Sequence, residues 1–204
     1  MGFGLLFVGY FFANLMPIFT PLGFTKLVGY PMMLLAFRRL RAYCPRFRIC
    51  FYAGFAALPF AVYYTYVALL ALKVPGAPIP AGVGTGIEWA YFAFFIAFEL
   101  LLLWVIAGFS KELHHLRTAT AATRNMIFVG MYAALYLVCN ILDAAGVSGV
   151  RYFYLPLLLL RLFFLLLDAW LIFQCYRDIC PAEEEQIVLT EPEDDGKEEN
   201  DEKK

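Results

Sequence analysis

Three ionisable side chains stand inside long apolar runs. Glu99 interrupts WAYFAFFIAFELLLLWVIAGF (Trp89–Phe109), and Arg161 and Asp168 interrupt LLLLRLFFLLLDAW (Leu157–Trp170). Insertion scales put a charge at the centre of a membrane helix at roughly 2.5–3.5 kcal/mol. Each such group therefore needs a partner on another helix, a hydrated cavity, or a role in moving charge. Arg161 and Asp168 are seven residues apart, which places them on one helix face ~10 Å apart along the axis. That is too far for a simple salt bridge within the helix, and the residues three and four away on the inner side are Leu or Phe.

Depth suggests the partners. Arg161 and Glu99 fall at similar distances from the same end of their runs, so a Glu99–Arg161 pair near the midplane is expected, with the hydroxyls of Tyr63 and Tyr64 close by. Asp168 lies nearer the opposite face, level with Tyr132. It has no charged partner that the sequence names, and partial hydration is expected there. Asp143 is expected to meet Arg151 near the outer surface. Two readings of the cluster stand side by side. A buried ion pair can fix helix register, so that breaking it destabilises the fold and nothing else. Alternatively, Glu99, Arg161 and Asp168 line a polar path in a small transporter or channel.

Other reactive residue types form weaker constellations. Cys44, Cys50, Cys175 and Cys180 fall at one side of the predicted threading, but their C-x5-C and C-x4-C spacings lie outside the common short zinc pattern. They read as small apolar residues at helix ends or as palmitoylation sites. His114 and His115 are adjacent and face different directions on a helix, so the i, i+4 pair of H-E-x-x-H is absent. There is no G-x-S-x-G, no G-x-x-x-x-G-K-[ST] and no paired Asp motif of an intramembrane protease. An enzyme has no positive support, no cofactor or metal is called for, and no nucleic-acid partner is expected.

The elements that must position these residues follow from composition. Of 204 residues, 62% are hydrophobic and 16% charged, against about 25% charged in ordinary soluble domains. The apolar residues run continuously, with no alternation suggesting a barrel. An all-α, polytopic helical membrane bundle is predicted, because the bilayer accepts only backbone whose hydrogen bonds close internally. The spans are Phe3–Ile18, Ile49–Leu72, Trp89–Phe109, Met126–Leu142 and Tyr152–Cys175. Leu27–Phe37 is too short alone. It spans if the region from about Pro21 to Arg39 is included, giving six transmembrane helices, and otherwise forms a re-entrant hairpin with the first helix.

Charge sets the threading. Arg38, Arg39, Arg41, Arg46 and Arg48 crowd one loop, and Lys111, Arg117 and Arg124 another, whereas the intervening loops carry Lys73 or Arg151 alone. Positive loops stay in the cytoplasm, so both termini are placed there. The Pro- and Gly-rich KVPGAPIPAGVGTG reads as a connector. Ser110–Thr123 reads as a short interfacial helix, with Leu113 and Leu116 on one face. Residues 1–180 carry 13 Lys/Arg against 6 Asp/Glu and form the membrane domain. Residues 181–204 carry 3 against 11 and read as a disordered acidic tail. Ala53, Ala57, Ala61 and Thr65 recur every four residues, as a packing seam within the bundle or as a homodimer interface.

GFGLLFVGYFF (Gly2–Phe12) and CYRDICP (Cys175–Pro181) resemble the opening and closing stretches of uncharacterised multi-spanning membrane proteins of Firmicutes, chiefly clostridia. The resemblance covers the helical body in outline. It implies a bacterial plasma-membrane location and transfers no catalytic or binding residue. The combined expectation is a multi-pass plasma-membrane protein whose surroundings are the lipid bilayer. It is read as a non-enzymatic component with a partner or signalling role, with the transporter or channel as the alternative.

Overall fold

The computed structural model describes residues 2–19, 24–73, 76, 79–147 and 149–190. Its order is α1 (Gly2–Tyr10), a π-helical segment (Phe11–Leu15), α2 (Met16–Phe19), α3 (Thr25–Leu40), α4 (Phe47–Ala71), α5 (Ala81–Glu112), α6 (Leu116–Ala144), a 3-10 turn (Val150–Phe153) and α7 (Tyr154–Thr190). Four helices are long and apolar enough to cross a membrane: Phe47–Ala71, Gly82–Glu112, Leu116–Ala144 and Val150–Asp178. The chain is therefore a helical membrane bundle. Gly2–Ile18 is apolar but shorter, and α3 has only 16 residues.

The helices pack as a closed ring: α1 against α3, then α3–α4, α4–α5, α5–α6, α6–α7, and α7 back against α1. The outward faces of α4, α6 and α7 carry large apolar residues such as Val62, Ile127 and Leu159, which suit lipid chains. The inward faces form a main core and a smaller cluster around Tyr132, Leu157 and Phe164, and at one end the main core is aromatic. Phe47 lies 5.9 Å from Phe3 and 5.8 Å from Phe109, centroid to centroid, in edge-to-face contacts. This geometry directs the positive ring edge at the negative face of its neighbour.

The short pair α1 and α3 owes its close approach to glycine. The pairs Gly2/Leu40, Gly9/Met33 and Gly29/Ala13 oppose one another, so the two helices run antiparallel in a constant register. A Cβ on Gly9 would stand 2.8 Å from the Met33 backbone nitrogen, and one on Gly29 would collide with the Ala13 backbone. Small residues at such contacts let two backbones approach. At the other end of this pair, Lys26 meets Tyr64 and Tyr91. Those tyrosines lie two to three turns inside the ends of α4 and α5.

Both ends of the bundle are defined by contacts. Arg46, before α4, pairs with Glu112 at the end of α5 over 2.9 Å. Gly4 lies beside Tyr176, and Gly2 beside Leu40. The start of α1, the arginine-rich α3–α4 loop, the α5–α6 turn and the later part of α7 thus share one end, called here the basic end.

Three boundaries differ from the sequence-based expectation. Ala81–Gly86 opens α5 and is not part of the connector; the break falls at Pro80, whose extended ψ of 134° precedes the first helical residue. No separate interfacial helix occupies Ser110–Thr123. Helix α5 runs through Gly108 and Ser110 to Glu112, and the reversal is made within Leu113–His115, where His114 takes a left-handed φ of 59°. Helix α7 continues past Pro181 to Thr190, so the tail expected from residue 181 begins as helix. The disorder expected of residues 191–204 lies outside the described residues.

Candidate functional site

Helix α5 presents Glu99 to the middle of the ring, and α7 presents Arg161 from the facing side. Arg161 Nη2 donates to Glu99 Oε2 over 2.7 Å, and both residues are buried, Glu99 to 2% exposure. The guanidinium also lies 4.6 Å from the Phe95 ring centroid and 5.1 Å from that of Tyr132. Phe95 is one turn before Glu99 on α5, and Tyr132 faces inward from α6. Two ring faces thus replace part of the lost hydration, while Nη1 is left without a hydrogen-bond partner among the described residues.

Asp168 belongs to the same cluster. Tyr10, the last residue of α1, places its hydroxyl 3.2 Å from Glu99 Oε1 and 3.5 Å from Asp168 Oδ2. A phenol has one hydrogen to give, so the shorter contact to Glu99 is the stronger and the hydroxyl spans the two carboxyls. The other Asp168 oxygen, Oδ1, accepts from Asn125 Nδ2 over 2.8 Å. Four helices therefore meet at one polar knot: α1 through Tyr10, α5 through Glu99, α6 through Asn125, and α7 through Arg161 and Asp168. The helix spacing explains the knot. Seven residues put Arg161 and Asp168 on one inward face, and Glu99 with Tyr10 fills the two-turn gap between them.

The predicted Glu99–Arg161 pair is thus present, but three expectations change. Asp168 is 2% exposed where partial hydration was expected, and it is tied to two uncharged partners, Tyr10 and Asn125. The two charges of α7, though two turns apart, share one network through Glu99 and Tyr10. Tyr63 and Tyr64 are not beside the pair. Tyr63 lies near Gly84, and Tyr64 stacks edge-on against Tyr91 at 4.8 Å, because this turn of α4 faces the start of α5 well above Glu99.

Tyr64 instead belongs to a second buried cation site. Lys26 Nζ donates to the Tyr91 hydroxyl over 3.0 Å and sits 3.7 Å from the Tyr64 ring centroid. Tyr30 and Tyr91 share a hydroxyl–hydroxyl bond of 3.2 Å. The sequence set Lys26 at the end of a doubtful span and did not single it out. Tyr10 and Asn125 were also missed. For Asn125 a signal existed: Thr118, Ala122, Asn125, Val129 and Tyr132 are all buried at four- and three-residue steps on α6, an inward stripe with a polar member. For Tyr10 the sequence carries no such signal, since α1 is apolar on all sides.

The remaining candidates separate. Asp143 and Arg151 approach to 3.8 Å at the surface. Ala57 and Ala61 are fully buried within the chain, and Thr65 Oγ1 donates back to the Ala61 carbonyl over 2.8 Å. The face of α4 bearing Ala57 and Ala61 is thus spent on packing inside the bundle. Cys44, Cys50 and Cys175 are buried free thiols in the main apolar core. Among the described residues no group of three or more His, Cys, Asp or Glu side chains is placed to hold a metal ion.

At the basic end a cavity of about 360 Å³ opens between α6 and α7. Arg117, Arg124 and Arg177 line it together with Gln174 and Trp170, and Asn125 lies at its inner wall. Asn125 therefore borders the cavity and belongs to the polar knot.

No protein-family model matches the chain, and no curated protein or solved structure matches it.

Proposed function

We propose that the protein is a non-enzymatic component of a bacterial plasma membrane, with its basic end in the cytoplasm and a partner or signalling role there. The buried charges are the lock that sets helix register. The observation that carries this reading is the closed Glu99–Arg161 contact of 2.7 Å, held between aromatic rings with Tyr10 bridging to Asp168. Such an arrangement suits a fixed joint among four helices. The arginines at positions 38, 39, 41, 46 and 48 support the orientation by the positive-inside tendency.

A neutralisation cycle tests the lock. Glu99→Gln and Arg161→Gln are each expected to destabilise the purified protein in micelles by roughly 3–5 kcal/mol, since each leaves a charge buried without its partner. The double variant is expected to recover most of that loss. Two single variants with unchanged melting would remove the basis of this reading.

The contact between Asp168 and Asn125, which borders the basic-end cavity, favours a second reading, a small transporter or channel. Glu99, Arg161 and Asp168 would then line its path. A travelling cation or proton would there meet two carboxyls and one guanidinium. Ion or proton flux into proteoliposomes that Asp168→Asn abolishes would favour this reading over the first.

A further inference from the structure

The geometry points to the cavity between α6 and α7 as a binding site for a phosphate ester. Three arginines, Arg117 and Arg124 on α6 and Arg177 on α7, line one cavity of about 360 Å³ together with one acidic residue, Asp178. Arg177 already has a carboxylate, with its Nε donating to Asp178 over 2.8 Å. Among the described residues Arg117 and Arg124 have none. Arg117 and Arg124, seven residues apart on α6, fall on one face and border the same space, with the Arg124 guanidinium 5.9 Å from the Phe128 ring centroid. Planar forks of this kind match phosphate oxygens in pairs. The cavity volume accommodates a phosphate with a small polar substituent.

The second observation is Asn125. It lies at the inner wall of the cavity, is 2% exposed, and its Oδ1 is buried without a hydrogen-bond partner. Its Nδ2 is committed to Asp168, which fixes the amide so that the unpaired oxygen cannot exchange with the nitrogen without losing that bond. A buried carbonyl oxygen left unmet costs about 1–3 kcal/mol. Asn125 thus marks where the cavity wall meets the polar knot, and the arginines select the anion.

Two sources offer this chemistry. One is an anionic lipid headgroup, since basic pockets between transmembrane helices at the cytoplasmic side suit such groups. Trp170 favours it: this residue lines both the arginine cavity and an apolar groove formed with Phe7, Phe11, Leu166 and Phe173. The other is a soluble phosphate ester from the aqueous side.

The full chain in dodecylmaltoside micelles is titrated with dioleoyl phosphatidylglycerol, with dioleoyl phosphatidylcholine and with glycerol 3-phosphate. Bound molecules are counted by native mass spectrometry, and Arg117→Gln/Arg124→Gln is compared with Arg38→Gln/Arg39→Gln. The latter removes two exposed arginines at the same end of the molecule. One phosphatidylglycerol is expected to bind more tightly than phosphatidylcholine, whose headgroup carries no net charge. Removal of Arg117 and Arg124 is expected to weaken it at least tenfold, in line with charged hydrogen bonds of this type, while the Arg38/Arg39 variant binds as the parent does. Binding of glycerol 3-phosphate with the same dependence on Arg117 and Arg124 supports the site and assigns it to soluble esters. Equal affinity of parent and Arg117→Gln/Arg124→Gln for both probes overturns the proposal. An equal loss in the Arg38/Arg39 variant also overturns it, because attraction is then a property of the whole basic end.

Discussion

Asn125 donates a 2.8 Å hydrogen bond to Asp168 across the α6–α7 interface. It is the step by which a cavity at the basic end touches a knot of charges at the centre of the bundle. Asn125→Ala removes the donor and leaves an Asp168 oxygen without that partner. The expected loss is about 1–3 kcal/mol, read as a lower melting temperature in micelles. Asn125→Asp is expected to do worse, because it sets a third carboxyl beside Asp168 and Glu99. An Asn125→Asp protein as stable as the parent would mean that Asp168 is not held by this amide.

Tyr10 supplies the only described side chain that lies within hydrogen-bond reach of both carboxyls. Tyr10→Phe keeps the ring and deletes the bridge. Its cost is expected at about 1–2 kcal/mol, the range seen for hydrogen bonds between membrane helices in peptide systems. The sharper expectation is a change in coupling. In the parent, Glu99→Gln and Asp168→Asn should combine non-additively, since groups in one network interact. In the Tyr10→Phe background their effects should come closer to a simple sum. Identical coupling in both backgrounds would remove Tyr10 from the network.

What could be read from the sequence followed the strength of the penalty. Charges inside apolar runs are costly enough to demand partners, and counting depth was sufficient to pair Glu99 with Arg161. Asp168 escaped the same logic because its partners, Tyr10 and Asn125, are uncharged, and a neutral polar residue carries no comparable penalty. Lys26 escaped because it stands at a helix end, where a lysine ordinarily reaches the headgroups; only the antiparallel docking of α3 brings it under Tyr64 and Tyr91. The tyrosines at 63 and 64 were misplaced in depth: Tyr64 stands level with Tyr91, about two turns of α5 from Glu99. Helix starts such as Ala81 were hidden by glycines that the open surface around Gly82 and Gly86 tolerates.

The Lys26 site carries its own asymmetry. Lys26→Leu removes a buried ammonium and spares its desolvation, while Tyr91 keeps its bond to Tyr30. Replacing buried ionic groups by apolar ones of similar size is often neutral or stabilising, so melting should hold or rise. Tyr91→Leu, in contrast, leaves Lys26 without its 3.0 Å acceptor, and a loss of about 2–3 kcal/mol is expected. Melting curves of the two variants decide the matter. The opposite ranking would assign Lys26 a role beyond packing.

The antiparallel α1–α3 pair rests on backbone contact, and glycine substitutions probe it directly. A Cβ at Gly29 meets the Ala13 backbone, which no rotamer change can clear, so Gly29→Ala must push α3 away from the π-helical segment that continues α1. The expected loss is roughly 1–3 kcal/mol, the cost of overpacking a close-packed core. Tyr10 stands one turn from Ala13, so the same displacement moves its hydroxyl relative to Glu99 and Asp168. Gly130→Ala, where nothing lies within 4 Å, is the control. In an exposed helix interior it is expected to stabilise by up to about 1 kcal/mol, because alanine is the better helix former. Melting temperatures of the two variants should therefore move in opposite directions, and a neutral Gly29→Ala would mean that α3 and the π-helical segment do not meet backbone to backbone.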